Sequence, residues 1–311
     1  MPFQISDHPL ALQPPRRMTR DSSWLQHTPF VPVLLKLLRP QTFVELGTHA
    51  GDSYCAFCDA TVALHLDLQC TAVDTWAGDP HAGAYGPEIL AELRAYHDPR
   101  YRTFSRLLHA TFDAALPTFP DGSIDLLHID GLHTYEAVRH DFHCWRPKLS
   151  PRGVVLFHDT TARLPDFGVW RLWEELAATA PSFNFPYGWG LGVLAVGKDV
   201  PPAFLDLLGQ FHTDPSVAAL FQALGQRNEL LRNMGSAGQA LHACHDMTNQ
   251  LRRLAGLPPL HATVELQKIV HYPATHGPVV VNDLLHTAND AAGMLQELKN
   301  LRTLKAAQTG A

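Results

Sequence analysis

Charge is scarce in this 311-residue chain: Asp, Glu, Lys and Arg make up 17% of it, and 24 basic against 30 acidic side chains leave a formal charge of -6. That balance offers no basic stripe to neutralise phosphates, so no nucleic-acid partner is expected. Long apolar runs are absent too, none approaching the ~18 residues of a membrane-spanning helix. The opening residues carry Arg16, Arg17 and Arg20 but no apolar core followed by a small-residue cleavage site. No secretory signal is therefore expected, and the cytoplasm is the expected location. Cysteine is sparse, with five residues scattered along the chain. Cys55-x-x-Cys58 has no second pair to complete a zinc site and is read as two small buried residues on a helix. Heptads, internal repeats and low-complexity tracts are missing as well. The 46% apolar content suffices to bury the core of one large domain with an appendage, or of two modest ones.

Histidine is the one residue in excess, at 19. Most are scattered without ligand spacing, and those beside acids carry the interest. They fall in the stretch Asp125 to Thr160, DLLHIDGLHTYEAVRHDFHCWRPKLSPRGVVLFHDT. Its two apolar runs, Ile124 to Ile129 and Val154 to Phe157, are short and bounded by turn residues, as in neighbouring strands of a parallel sheet covered on both faces. Thr134 to Arg146 reads as the helix between them and Arg152-Gly153 as the turn into the second. Asp130 and Asp159 then emerge side by side at the carboxyl edge of the sheet, where open α/β folds bind ligands. His133, three residues past Asp130, is a candidate general base whose ring an acid would orient. His128, inside the strand, is expected to be buried and hydrogen-bonded; Asp141 is expected to be structural or to support the site from behind.

The rest of the chain frames that stretch. Residues 1–29, rich in Pro and Arg, read as an arm leading to Trp24 and a helix from Phe30 to Leu38. A strand from Thr42 runs into the glycine-bearing turn Gly47-Thr48-His49-Ala50-Gly51 and a helix from Ser53; Gly47 permits the tight turn, and Gly51 permits close backbone approach to a ligand. A second strand ends at Asp74, 23 residues past Gly51, a spacing that suits an acid accepting hydrogen bonds from ribose hydroxyls. Thr75 to Gly86 forms a loop above this edge, a natural lid or acceptor wall. A helix from Pro87 to Tyr96, a short strand from Tyr101 to Phe104 and a brief helix from Thr111 to Leu116 follow. A helix from Trp170 to Ala178 and strands at Phe183 to Phe185 and Leu191 to Val196 close a domain over residues 30–200. Residues 201–311 have helical spacing, in Pro202 to Gly209, Ser216 to Met234, Gly238 to Ala255, Val264 to Val270 and Asp283 to Lys305. This helical appendage suits contacts within a homo-oligomer or with a partner protein.

In Val44-Glu45-Leu46-Gly47-Thr48-His49-Ala50-Gly51, with Asp74 on the next strand, the chain resembles the class I S-adenosylmethionine-dependent methyltransferases. Ile129-Asp130-Gly131-x-His133-x-Tyr135, Asp141 and Gly153-Val154-Val155-Leu156-Phe157-His158-Asp159 are similar to the branch of macrocin-type sugar O-methyltransferases and their cephalosporin-pathway relatives. The resemblance runs from Trp24 to Gly197. It implies a Rossmann-like α/β fold with seven mostly parallel strands, helices on both faces and a closing antiparallel strand. Glu45, Gly47, Thr48, Gly51, Asp74 and Asp130 would bind S-adenosylmethionine. Acids ending the fourth and fifth strands, here Asp130 and Asp159, would hold a divalent ion such as Mg2+, with His158 standing where relatives place an adjacent acid. The implied reaction is O-methylation of a sugar, glycan or glycosylated small molecule, as in polysaccharide biosynthesis, with a glycosyltransferase as one partner the appendage would suit. Asp130, His133 and Asp159 are the catalytic candidates, through a metal or a histidine base. Two rival readings are an inactive methyltransferase-like scaffold in a glycan-assembly complex and a nicotinamide-dependent oxidoreductase, whose G-x-G-x-x-G fingerprint is missing here.

Overall fold

The computed structural model describes residues 2–19 and 23–233. Up to Glu229 they belong to one compact unit. The expected helices beyond residue 234, with the partner contacts assigned to them, lie outside the described residues.

The described residues build nine strands, β1 (Thr42–Leu46), β2 (Gln69–Asp74), β3 (Gly78–Asp79), β4 (Gly83–Ala84), β5 (Ser105–His109), β6 (Ile124–Ile129), β7 (Leu149–His158), β8 (Ser182–Phe185) and β9 (Leu191–Ala195). Among the α-helices are α1 (Val31–Leu38), α2 (Asp52–Ala63), α3 (Pro87–Tyr101), α4 (Phe112–Ala115), α5 (Tyr135–Trp145), α6 (Val169–Leu176) and α7 (Pro202–Thr213), and residues 215–233 are helical too. Seven strands form one sheet in the order β5-β2-β1-β6-β7-β9-β8, while β3 and β4 pair as a small hairpin. Pairing is parallel from β5 to β7, and β9 runs antiparallel to both its neighbours. This is the expected mostly parallel sheet with one reversed strand.

Period-two alternation explains how both faces are covered. Phe43, Ala72, Leu126, Val154, Leu156 and Val193 point to one face and pack with α1, α2 and α7. Val44, Val73, Leu127, Val155, Phe157 and Leu194 point to the other and pack with α5 and α6. Trp145 is fully buried on that second face, its ring 5.2 Å from Phe119. Each such large side chain contributes roughly 1.5–3 kcal/mol on burial. Residues past 201 join the first face: Phe204, Leu207, Leu208, Phe211 and Phe221 are buried in its cluster.

Two expectations need correction. The third strand is Ser105–His109, displaced from Tyr101 to Phe104, because α3 continues through Pro99 to Tyr101. Tertiary contacts hold that last turn: the Tyr101 hydroxyl donates to Asp59 on α2 (2.8 Å), and His97 Nε2 meets Ser105 Oγ (2.7 Å). Arg152-Gly153 is not a turn before the fifth parallel strand. It lies within the ten-residue β7, and a register shift between the Ile124 and Leu126 pairs absorbs the extra length.

The glycine turn after β1 admits no side chain at its first residue. Gly47 holds φ +85°, and a Cβ there would overlap the Asp130 carbonyl. Gly209, inside α7, has only open space within 4 Å of where a Cβ would sit. Urea denaturation is therefore expected to show Gly47→Ala destabilised by about 2 kcal/mol or more and Gly209→Ala stabilised by about 0.4–1 kcal/mol.

Candidate active site

Register brings the site together. Leu46 of β1 pairs with Ile129 of β6, and Ile129 with Phe157 of β7, so the residues that follow emerge at one edge. The Asp130 N–H donates to the Leu46 carbonyl (2.8 Å) and the Gly47 N–H to that of Val73 (3.0 Å). A cleft of about 630 Å³ opens there, lined by Gly47, Thr48, Asp74, Asp130, His133 and Asp159 together with loop residues. Glu45 and Gly51 do not line it. Glu45 is fully buried, its Oε2 2.9 Å from Nδ1 of the equally buried His128, and burial pushes its carboxyl pKa up. Gly51 begins α2 at φ +79° with Leu93 against its Cα.

Asp74 shapes the turn. Its Oδ2 accepts from the backbone N–H of Thr48 (2.7 Å) and His49 (2.8 Å), and its Oδ1 from that of Trp76 (2.7 Å). A carboxylate accepts about four hydrogen bonds, so one position remains for a ligand hydroxyl. The Thr48 hydroxyl is buried beside it without a protein partner. A glycine cradle that admits no Cβ, an unpartnered hydroxyl and a part-used carboxylate fit the ribose and methionine ends of a bound S-adenosylmethionine.

At the opposite wall, two acids and two histidines interlock. His133 Nε2 lies 2.8 Å from Asp159 Oδ2 and 3.7 Å from Asp130 Oδ1. His158 Nδ1 lies 3.2 Å from Asp130 Oδ1 and 3.5 Å from Asp159 Oδ2, while its Nε2–H donates to the Gly188 carbonyl (3.1 Å). Burial would discharge His158, but the two carboxylates outweigh it and hold its pKa well above the usual histidine range. Burial likewise opposes the charge of His133, yet hydrogen bonds to Asp130 and Asp159 lift it to about 9. In return, against burial, His158 and His133 draw Asp159 down to about 2 and Asp130 well below the usual range. The resting quartet is thus two anions and two cations at neutral pH.

For a metal ion, Asp130, His133 and Asp159 each offer a donor atom, all within 4.8 Å of one another. Two carboxylates and one imidazole fit a borderline divalent ion better than Mg2+, which prefers an all-oxygen shell. His158 does not belong to that group, both its nitrogens being engaged.

The loop from Thr75 to Gly86 does reach the site, and groups from elsewhere join it. His81, on the β3–β4 hairpin, and Phe167 stack with the His133 ring, which lies 4.7 Å from Phe167 at 10°. Leu164 and Trp189 form an exposed apolar rim, 46% and 52% accessible. Trp189 sits at φ +65° and Asp159 at φ +62°, uncommon conformations that are often found at functional sites. His27 is a long-range addition: buried, it donates from Nε2 to the same Gly188 carbonyl (2.9 Å), its ring 5.6 Å from that of His158.

Burial, then the charge of His158, depresses the pKa of His27 to about 3. The unfolded chain takes up this proton from pH ~6.5 downward while the folded one does not, so stability is full above that pH and lost as pH falls toward about 3. Between pH 6 and 5, urea denaturation should show the stability of His27→Gln falling on the order of 1 kcal/mol less than that of the parent.

A family profile described as a methyltransferase domain matches residues 44–160, from β1 to the residue after Asp159. The uncharacterized protein y4gI of Sinorhizobium fredii (strain NBRC 101917 / NGR234) is 54% identical over 189 residues, 61% of this chain and 21% of that protein. The chain therefore spans about a fifth of the length of this curated relative. Among solved structures, a methyltransferase from Geobacter sulfurreducens is similar at 16% identity and a TM-score of 0.42, over 58% of this chain and 80% of that one. The SAH-bound methyltransferase PaMTH1 of Podospora anserina is similar at 16% identity and a TM-score of 0.42, over 58% and 79%. Likeness at that level assigns no residue a role; the profile match and the glycine turn leading into the cleft carry the assignment. Residues 44–160 match the methyltransferase-domain family.

Proposed function

We propose that the chain catalyses O-methylation of a hydroxyl on a sugar, glycan or glycosylated small molecule, with His133 as general base. The hydrogen bond from His133 Nε2 to Asp159, at the cleft wall facing the glycine turn, carries the reading. It fixes the ring orientation and leaves Nδ1, buried and without a protein partner, as the nitrogen that takes a proton once the hairpin carrying His81 admits the acceptor. With a pKa of about 9 the ring must first release its Nδ1 proton, so the base form is a minor one at neutral pH and grows as pH rises. When bound, S-adenosylmethionine supplies an electrophilic methyl group. Gly47, Thr48 and Asp74 would hold it, and the quartet would orient the acceptor. The acceptor oxygen gains the methyl carbon as the carbon–sulfur bond breaks, and its proton passes to His133. Asp159 then stabilises the imidazolium.

The acceptor wall supports a sugar. Trp189 presents a flat aromatic surface for the C–H face of a pyranose, Leu164 extends it, and the carboxylates of Asp79 and Asp159 lie within the same cleft to accept hydroxyl hydrogens. A second reading, metal-assisted transfer, draws on the Asp130, His133 and Asp159 donor group, which would hold the ion against neighbouring hydroxyls and polarise them.

Transfer of labelled methyl to nucleotide sugars and cell-envelope glycans tests this. His133→Gln is expected to lower kcat by about 10²- to 10⁴-fold with little change in donor binding, as followed by calorimetry, and to remove a rise of kcat/KM of roughly ten-fold between pH 7 and 8 in the parent. Undiminished transfer in both His133→Gln and Asp159→Asn would remove the proposed site. Trp189→Ala should raise the acceptor KM roughly ten-fold and leave kcat within about two-fold. Activity unaffected by a chelator supports the histidine base, whereas loss restored by a divalent ion transfers the role to the metal.

A further inference from the structure

A second cluster lies outside the cleft, between α4 and α5. Asp113 belongs to the first turn of α4. His140 and Cys144 stand one turn apart on α5, a spacing that places both side chains on one face. His140 Nε2 lies 2.9 Å from Asp113 Oδ1 and 3.2 Å from Oδ2; Cys144 Sγ lies 3.7 Å from both ring nitrogens. One donor atom from each residue falls within 4.8 Å of the other two.

A surface Asp–His pair is common and contributes little, but it does not by itself bring a sulfur to the same point. Tetrahedral zinc, with Zn–S of ~2.3 Å and Zn–N and Zn–O of ~2.0–2.2 Å, sets its ligand atoms roughly 3.3–3.6 Å apart. The distances between these side chains already approach that spacing. Thiolate, imidazole and carboxylate together favour zinc over Mg2+ or Ca2+, which prefer oxygen alone. Asp113 and His140 are more than half exposed, so an ion reaches them from solvent. We propose that Asp113, His140 and Cys144 form a zinc site at the surface between α4 and α5, separate from the cleft and completed by water.

The site would act on the cleft through packing. Phe112, next to Asp113, lines the cleft, and its ring lies so close to Gly131 that a Cβ on that glycine would collide with it. Gly131 follows Asp130 directly. An ion tying Asp113 to α5 would fix α4, and with it Phe112 and the Asp130–Gly131 backbone, without touching reacting atoms.

The test uses the full chain, stripped of metal by dialysis against a chelator and titrated with cobalt(II). Coordination by Cys144 should produce a near-ultraviolet thiolate-to-cobalt charge-transfer band that saturates at one equivalent and is bleached by zinc. The Asp130, His133 and Asp159 group contains no sulfur and cannot produce it. Cys144→Ser should abolish the band, and Asp113→Asn and His140→Ala should each weaken cobalt binding roughly ten-fold or more, with circular dichroism confirming that each variant folds. Asp159→Asn and Cys244→Ser should leave it unchanged. No band in the parent chain, a band that survives Cys144→Ser, or one lost in Cys244→Ser would overturn the site.

Discussion

One buried imidazolium holds the reaction edge together. Asp130 and Asp159 end adjacent parallel strands, and two carboxylates a few ångströms apart repel by about 4 kcal/mol at an effective dielectric constant of 20. His158 removes that conflict by facing both acids from Nδ1 while its Nε2–H is spent on the Gly188 carbonyl. The same carbonyl accepts from His27, so the arm preceding α1, the loop between β8 and β9 and the end of β7 meet at one oxygen. Because His158 is anchored on both sides, the acids it faces are held in place. His133 can then rest against Asp159 with its second nitrogen unpartnered. Gly47 packs directly on the Asp130 carbonyl, and the Asp130 N–H donates to the Leu46 carbonyl, which couples the glycine turn to the acid cluster through backbone contacts.

The sheet and most of this edge were legible because their signals are local. Apolar runs ending in acids mark β6 and β7, and the spacing from Gly51 to Asp74 marks the first crossover unit. Gly47, Thr48, Asp74, Asp130, His133 and Asp159 duly meet at one cleft. What was illegible depends on contacts between distant residues. Pro99 reads as a helix breaker in isolation, yet Tyr101 meets Asp59, some forty positions away, and holds the turn in place. Glu45 matches a cofactor-binding motif, but alternation along β1 points it into the interior beside His128. His27 stands about 130 residues from His158, and nothing in its neighbours marks it; only the folded sheet brings the two rings together.

Charge also decides how a metal would compete with the histidine base, since both need the same ring. The resting quartet is neutral, with two acids matched by two imidazolium rings. Either role must first remove a proton from His133, which binds it with a pKa of about 9. At pH 7 that costs on the order of 3 kcal/mol, about a hundred-fold in the population of the competent ring. The two roles then diverge. A base gives up the proton on Nδ1 and keeps the Nε2–H bond to Asp159 that orients it, whereas an ion shared with Asp130 and Asp159 must take Nε2 itself and so breaks that bond. A charge-assisted hydrogen bond of this kind contributes roughly 1.5–3 kcal/mol, which the ion has to recover from its own coordination. Acceptor binding faces neither cost, because a hydroxyl donates to the carboxylates without changing the proton count. Ion and base are therefore alternatives on one set of side chains, and the His158 imidazolium facing Asp130 and Asp159 adds a positive charge that opposes a cation between them.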